Sequence, residues 1–146
     1  MIRKAAPDDV RAITLIERTS FGDGVAWSAA TVENELTAPG RIVLVDDRDQ
    51  LLVGYASAAV IDDVADLTRI AVRPLARRRK VGTDLLRALL LRTAAKGAAR
   101  MMLEVAATNE AALGLYRVIG FDEIARRGDY YARGIDAVIM ERRIGR

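Results

Sequence analysis

Ala71-Val-Arg-Pro-Leu-Ala-Arg-Arg-Arg-Lys-Val-Gly-Thr-Asp-Leu-Leu86 decides how this chain folds. An apolar strand ends near Val72, because Pro74 cannot sit inside a sheet. A short basic turn follows, and an apolar-striped helix starts at about Val81. The first turn of such a helix leaves backbone N–H groups without intrahelical partners, and the helix dipole favours an anion beside them. Arg77, Arg78, Arg79 and Lys80 add mobile positive charge at that point, and Gly82 lets a pyrophosphate approach the backbone. The turn therefore reads as a site for a phosphorylated ligand, or else as a plain solvated basic loop. It is neither a Walker loop nor the dinucleotide fingerprint, which need glycines that are absent here.

Outward from that stretch, 146 residues of which 51% are apolar predict one domain, spanning 1–146, with one core. No apolar run is long enough to cross a membrane, and no signal peptide is visible. The chain has no cysteine and no histidine, which excludes disulfides, thiolate catalysis, the usual general base and the commonest metal ligands. No metal is expected, and a cytoplasmic location fits. The formal charge of +3 is clustered in Arg77–Lys80 and in Arg126, Arg127 and Arg133. That clustering suits a small polyphosphate or an acidic peptide better than a nucleic-acid track, so no direct nucleic-acid binding is expected.

In chain order, Ile2–Ala6 reads as a strand, and Pro7-Asp8-Asp9 opens a helix that runs to about Ser20. Phe21–Trp27 is a glycine-containing loop with two large aromatics, and Ser28 caps a second helix that ends at Pro39-Gly40. Ile42–Val45 and Leu51–Ile61 form a hairpin around the polar turn at 46–50, and Ala65–Val72 is the next strand. The helix from Val81 stops near Gly97, Met101–Ala106 is a central strand, and Asn109–Ile119 is a helix closed by Gly120. Phe121–Arg127 and Ile135–Arg142 are the last strands. The order β-α-α-β-β-β-α-β-α-β-β describes an α/β (α+β) domain with a mixed sheet and helices on both faces.

Glu104 stands out, because its strand is otherwise apolar enough to be buried. Alternation puts Met102, Glu104 and Ala106 on one face of that strand. A half-buried carboxylate there suits a general base, while an exposed face or a salt bridge to an arginine explains it equally. Asn109 is placed as an N-cap, and Tyr116, two turns on, is a core aromatic or a proton donor.

Taken together, these residues resemble the Gcn5-related N-acetyltransferases, the GNAT superfamily, over nearly the whole chain, and within it the RimI branch that acetylates protein N-termini. Leu67–Val72 is similar to the family strand that receives the pantetheine arm of acetyl-CoA, and Arg77-Arg-Arg-Lys-Val-Gly82 to its pyrophosphate loop. Leu103–Tyr116, Gly120-Phe121, Tyr130-Tyr131 and Asp136–Met140 resemble the RimI branch more specifically. The resemblance implies the acyl-CoA N-acyltransferase fold, a mixed sheet of about seven strands flanked by four helices. It implies Glu104 as general base, Tyr116 as general acid, and acetyl-CoA held by Ile70, Ala71, Val72, Arg77, Arg78, Arg79, Lys80, Val81, Gly82, Thr83 and Asn109.

The implied acceptor is a protein N-terminus, namely the N-terminal alanine of small-subunit ribosomal protein 18, walled by Trp27, Ser28 and Tyr130-Tyr131. Other N-termini, lysines or small amines are alternative acceptors, and a non-catalytic acyl-CoA-binding module is the rival from another class. A monomer or a weak dimer through an edge strand is compatible with the sequence. Three positions depart from the branch pattern: Lys80 replaces the loop's first glycine, Ala106 a frequent arginine, and Tyr131–Ile135 lacks the usual Pro and Glu. Lysine at position 80 is tolerated if its φ stays negative.

Overall fold

A computed structural model describes residues 1–22 and 24–144; Asp23, inside the expected Phe21–Trp27 loop, lies outside them. The elements are β1 (Ile2–Lys4), α1 (Val10–Ser20), α2 (Ala29–Thr37), β2 (Arg41–Arg48), β3 (Leu51–Ile61), β4 (Val64–Val72), α3 (Val81–Ala95), β5 (Arg100–Ala106), α4 (Glu110–Ile119), β6 (Asp122–Ala132) and β7 (Ile135–Arg143). Single 3₁₀ turns, Pro7–Asp9 and Pro74–Ala76, precede α1 and follow β4. The seven strands form one sheet in the order β1-β2-β3-β4-β5-β7-β6. All pairings are antiparallel except β4 with β5.

Two strands outrun their expected ends. β2 continues through Asp46 to Arg48 because the turn shrinks to Asp49-Gln50, with φ of 54° and 70°. Two left-handed residues match the strands' own twist, so the ladder extends to the turn. β6 likewise runs on to Ala132, beside Gly134 at φ 80°. The expected caps form: Ser28 Oγ accepts from Thr31 N at 3.2 Å, and Asn109 Oδ1 from Ala112 N at 3.2 Å.

The sheet has unlike faces. On one, α3 and α4 bury Leu85, Leu86, Leu89, Leu113 and Tyr116 against Leu44, Ala56, Met101, Leu103, Val105, Val138 and Met140. Each fully buried leucine there contributes about 1.5–3 kcal/mol. On the other, α1 and α2 pack Ile13, Ile16 and Val32 on Val43, Val45, Tyr55 and Ala71. That second layer also encloses the carboxylates of Glu17 and Glu35, at 0% and 9% exposure.

Candidate active site

The site begins where the sheet comes apart. The β4–β5 ladder runs only from Val64↔Arg100 to Asp66↔Met102. Beyond it β4 continues to Val72 on β3, and β5 to Ala106 on β7, with no register between them. A bulge at Thr68 helps β4 turn away, since Ser57 pairs with Arg69 while Ala58 pairs with Leu67.

Backbone direction at this parting follows from one hydrogen bond. Arg73 N donates to Val53 O at 2.8 Å, so Arg73 faces β3. Backbone groups alternate sides along a strand, so Ala71 also faces β3, whereas Ile70 and Val72 present N–H and C=O to the gap. The Val72 carbonyl does accept from Arg77 Nε at 3.3 Å on that side. Ala71 thus departs from its expected role. Its backbone is committed to β3, and its side chain is buried beneath α1 and α2.

The basic turn lies at the open end. Arg77, Arg78, Arg79 and Lys80 are exposed, and among the described residues no carboxylate pairs with them. Lys80 is the N-cap of α3 and makes no side-chain cap. The first amides of the helix, at Val81, Gly82 and Thr83, therefore remain available to an anion. The condition of a negative φ at Lys80 is not met: Lys80 has φ 62° and Arg78 φ 66°. The backbone keeps the left-handed shape a glycine would supply, and each such non-glycine residue costs roughly 1–2 kcal/mol. Val81 is 1% exposed, so only its amide can face a ligand. A Cβ on Gly82 would lie 3.4 Å from Leu115 Cδ2. That is an ordinary contact with a side-chain methyl, so the packing of α3 on α4 does not require a glycine here.

Glu104 takes the more open of the two positions that the sequence allowed. Leu103 and Val105 fill the α3/α4 core, which turns Met102, Glu104 and Ala106 to the other face. That face is covered by α1 and α2 only as far as β4, and the Glu104 side chain is 37% exposed. Its Oε1 lies 3.7 Å from Arg127 Nη1, so both structural alternatives, exposure and an arginine partner, are realised together. The Arg127 guanidinium also sits 5.2 Å from the Tyr130 ring. Exposure does not remove Glu104 from chemistry, since a base must be reached by its substrate.

Tyr116 is a core aromatic as the sequence allowed, 6% exposed and edge-on to Phe121 at 5.9 Å. Burial, and then the neighbouring Tyr131, push its hydroxyl up to about 12. Tyr131 in turn is raised by burial, then by Glu104 and Tyr130. Asn109 spends its side-chain oxygen on capping α4, so it orders that helix.

The sequence reading missed a polar clamp on the α1/α2 face. Arg69 donates to both oxygens of Glu17, from Nε at 3.2 Å and Nη2 at 3.0 Å. Tyr55 Oη also donates to Glu17, and so does Trp27 N at 2.7 Å. The guanidinium lies 4.1 Å from the Phe21 ring and 4.8 Å from the Trp27 ring. A polar Glu17 on the apolar stripe of α1 was the available signal.

A parted parallel strand pair ending in a basic turn and a bare helix N-terminus defines an acyl-CoA N-acyltransferase. The chain belongs to the acetyltransferase (GNAT) family, whose model matches residues 10–121. It is an acetyl-CoA-dependent acetyltransferase, and the free edge, unpaired cations and open amides fit that cosubstrate. It is 32% identical over 142 residues to the N-alpha-acetyltransferase RimI of Mycobacterium tuberculosis, covering 94% of this chain and 88% of that one. It is 40% identical over 95 residues to the [ribosomal protein bS18]-alanine N-acetyltransferase of Salmonella typhimurium, 63% of this chain and 64% of that one. The crystal structure of the ribosomal-protein-S18-alanine N-acetyltransferase from Escherichia coli superimposes with TM-score 0.89 and 30% identity, covering 100% of this chain and 94% of that one. Among the described residues no helix is long and apolar enough to cross a membrane, and no group of three or more acidic, His or Cys residues could hold a metal.

Proposed function

We propose that this chain acetylates the free α-amine of a protein N-terminus, with the N-terminal alanine of ribosomal protein bS18 as its acceptor in the cytoplasm. The observation that carries this reading is the match to the Escherichia coli bS18-alanine N-acetyltransferase over 100% of this chain at 30% identity. Acetyl-CoA supplies the activated thioester carbonyl. The backbone of Ile70 and Val72 aligns the pantetheine arm, and the Val72 N–H polarises the carbonyl and stabilises its developing negative charge. Arg77, Arg78, Arg79, Lys80 and the amides of Val81, Gly82 and Thr83 hold the pyrophosphate.

An N-terminal α-amine has an ordinary pKa of about 7.7–8.0, so at neutral pH it arrives mostly as ammonium. Glu104, through a water, takes the proton, and the ammonium displaces Arg127 from its loose contact. The amine attacks the thioester directly. Tyr116, protonated at neutral pH, donates its proton to the departing thiolate and regains one as the acetylated nitrogen sheds its second proton to form the amide.

The test is mass-spectrometric acetyl transfer to a peptide beginning Ala-Arg-Tyr. A second peptide carries a blocked α-amine and an internal lysine. Acetylation of the free N-terminus alone is expected. Transfer to the lysine peptide, or to neither, overturns the N-terminal reading.

A further inference from the structure

We infer that Arg69 is the positioning residue of the acceptor wall. Held by the buried Glu17 carboxylate, it fixes Phe21, Val25 and Trp27 over the sheet face from which Glu104 projects. This rests on the N-terminal acetyltransferase reading and adds to it the residue that governs acceptor affinity.

Three observations converge. Glu17 is 0% exposed, and a buried carboxylate is costly unless its oxygens are satisfied. Here donors from three separate elements meet it: Tyr55 of β3, Arg69 of β4 and the Trp27 amide of the loop. The remaining contacts of Arg69 go to that same loop. It stacks on Phe21 and Trp27 and donates from Nη2 to Val25 O at 2.6 Å. The planar, forked guanidinium can do all of this at once, which an ammonium cannot.

The place of the clamp in the sheet gives it a function. Arg69 follows the Thr68 bulge and precedes Ile70, whose backbone faces the β4–β5 gap. Its side chain lies on the α1/α2 face, the face on which Glu104 projects from β5. A second clamp steadies the bulge, where Glu35 of α2 accepts from Thr68 Oγ1 at 3.1 Å and Ser57 Oγ at 2.5 Å. One strand position therefore joins the seat of the thioester to the wall of the acceptor groove. A helix α1 that needed only anchoring would have Ile13 and Ile16 for the purpose.

Trp27 is the only tryptophan, so its emission reports on the wall directly. In Arg69→Gln, measured with whichever amine the native enzyme accepts, acceptor KM rises about tenfold while acetyl-CoA KM and kcat stay within about twofold. Trp27 emission shifts to the red, and Arg69→Lys restores the acceptor KM only partly. Unchanged acceptor KM in a folded Arg69→Gln enzyme overturns the inference. If Arg69→Gln does not fold, Phe21→Leu removes one stacking surface without stranding a charge, and unchanged acceptor KM there overturns it equally. A native enzyme that acetylates lysine and not the α-amine refutes the N-terminal reading alone, since the KM comparison still decides the role of Arg69.

Discussion

The two faces of the sheet hold their helices by different physics. Beneath α3 and α4 the contacts are almost all apolar, with Leu85, Leu86 and Leu89 at 0% exposure, and the buried Thr93 hydroxyl donates within its own helix to Leu90 O. Beneath α1 and α2 the apolar cluster is smaller, and carboxylates finish the job: Glu17 on Arg69 and Tyr55, Glu35 on Arg41 at 2.9 Å, and Asp9 on Arg3 at 2.7 Å. A dry core resists distortion in every direction. A directional hydrogen-bond cluster fixes a few chosen atoms and leaves the remainder free. On the proposed function, the first suits a helix whose amides would receive a phosphate, and the second a wall that would fit a variable peptide.

The largest effect that tests this contrast is catalytic. Glu104→Gln should lower kcat about 10²–10⁴-fold and leave the unfolding midpoint unchanged, since Glu104 is exposed. A matching loss of stability would show that the open half of the acceptor face is structural. Next, Leu89→Ala should cost about 2–5 kcal/mol in denaturant unfolding, because Leu89 is fully buried. Glu17→Ala should cost about 3–5 kcal/mol, because it takes the carboxylate from the part-buried Arg69 guanidinium and leaves the Tyr55 hydroxyl and the Trp27 amide without their acceptor. The double variant Glu17→Leu with Arg69→Leu should recover much of that. Additive losses instead would mean that the two faces differ less than their chemistry suggests.

Smaller effects sharpen the picture. Tyr116 has its pKa raised from 10.0 to about 12, so between those values the unfolded state binds fewer protons and stability falls as pH rises. Tyr116→Phe should flatten that slope, measured by unfolding at pH 9 to 12, and leave stability below pH 9 unchanged. Tyr55, raised by burial and then by Glu17, keeps part of the slope. Smallest, Lys80→Gly should add about 1 kcal/mol of stability by relieving the left-handed lysine. Acetyl-CoA affinity read in the same variant shows whether the ammonium contributes to binding.

The helices of both faces were legible in the sequence, and the carboxylate partners of the polar face were not. Period and punctuation placed α3, β5 and α4 because Leu85, Leu89, Leu103 and Val105 obey simple spacings, and Gly120 stops its helix at φ 104°. The Asp46–Arg48 stretch read as a turn because its charges hide a ladder that the partner strand supplies. Glu17 was hidden for a related reason. A carboxylate on an apolar stripe has a meaning only when its partner, here 52 residues away, is known. The depth of Glu104 was left open in the sequence between half-buried and exposed, since strand alternation gives the face and not what covers it.

The parting of β4 and β5 also bears on the chain's handling in solution. Two strand edges that face each other without a ladder can accept a foreign strand, as exposed sheet edges do. A cosubstrate lying along Ile70 and Val72 would mask that edge as well as react on it. Preparations kept with acetyl-CoA should therefore melt higher and aggregate less than those without it. For this fold, keeping the enzyme loaded is also a way of keeping it monodisperse.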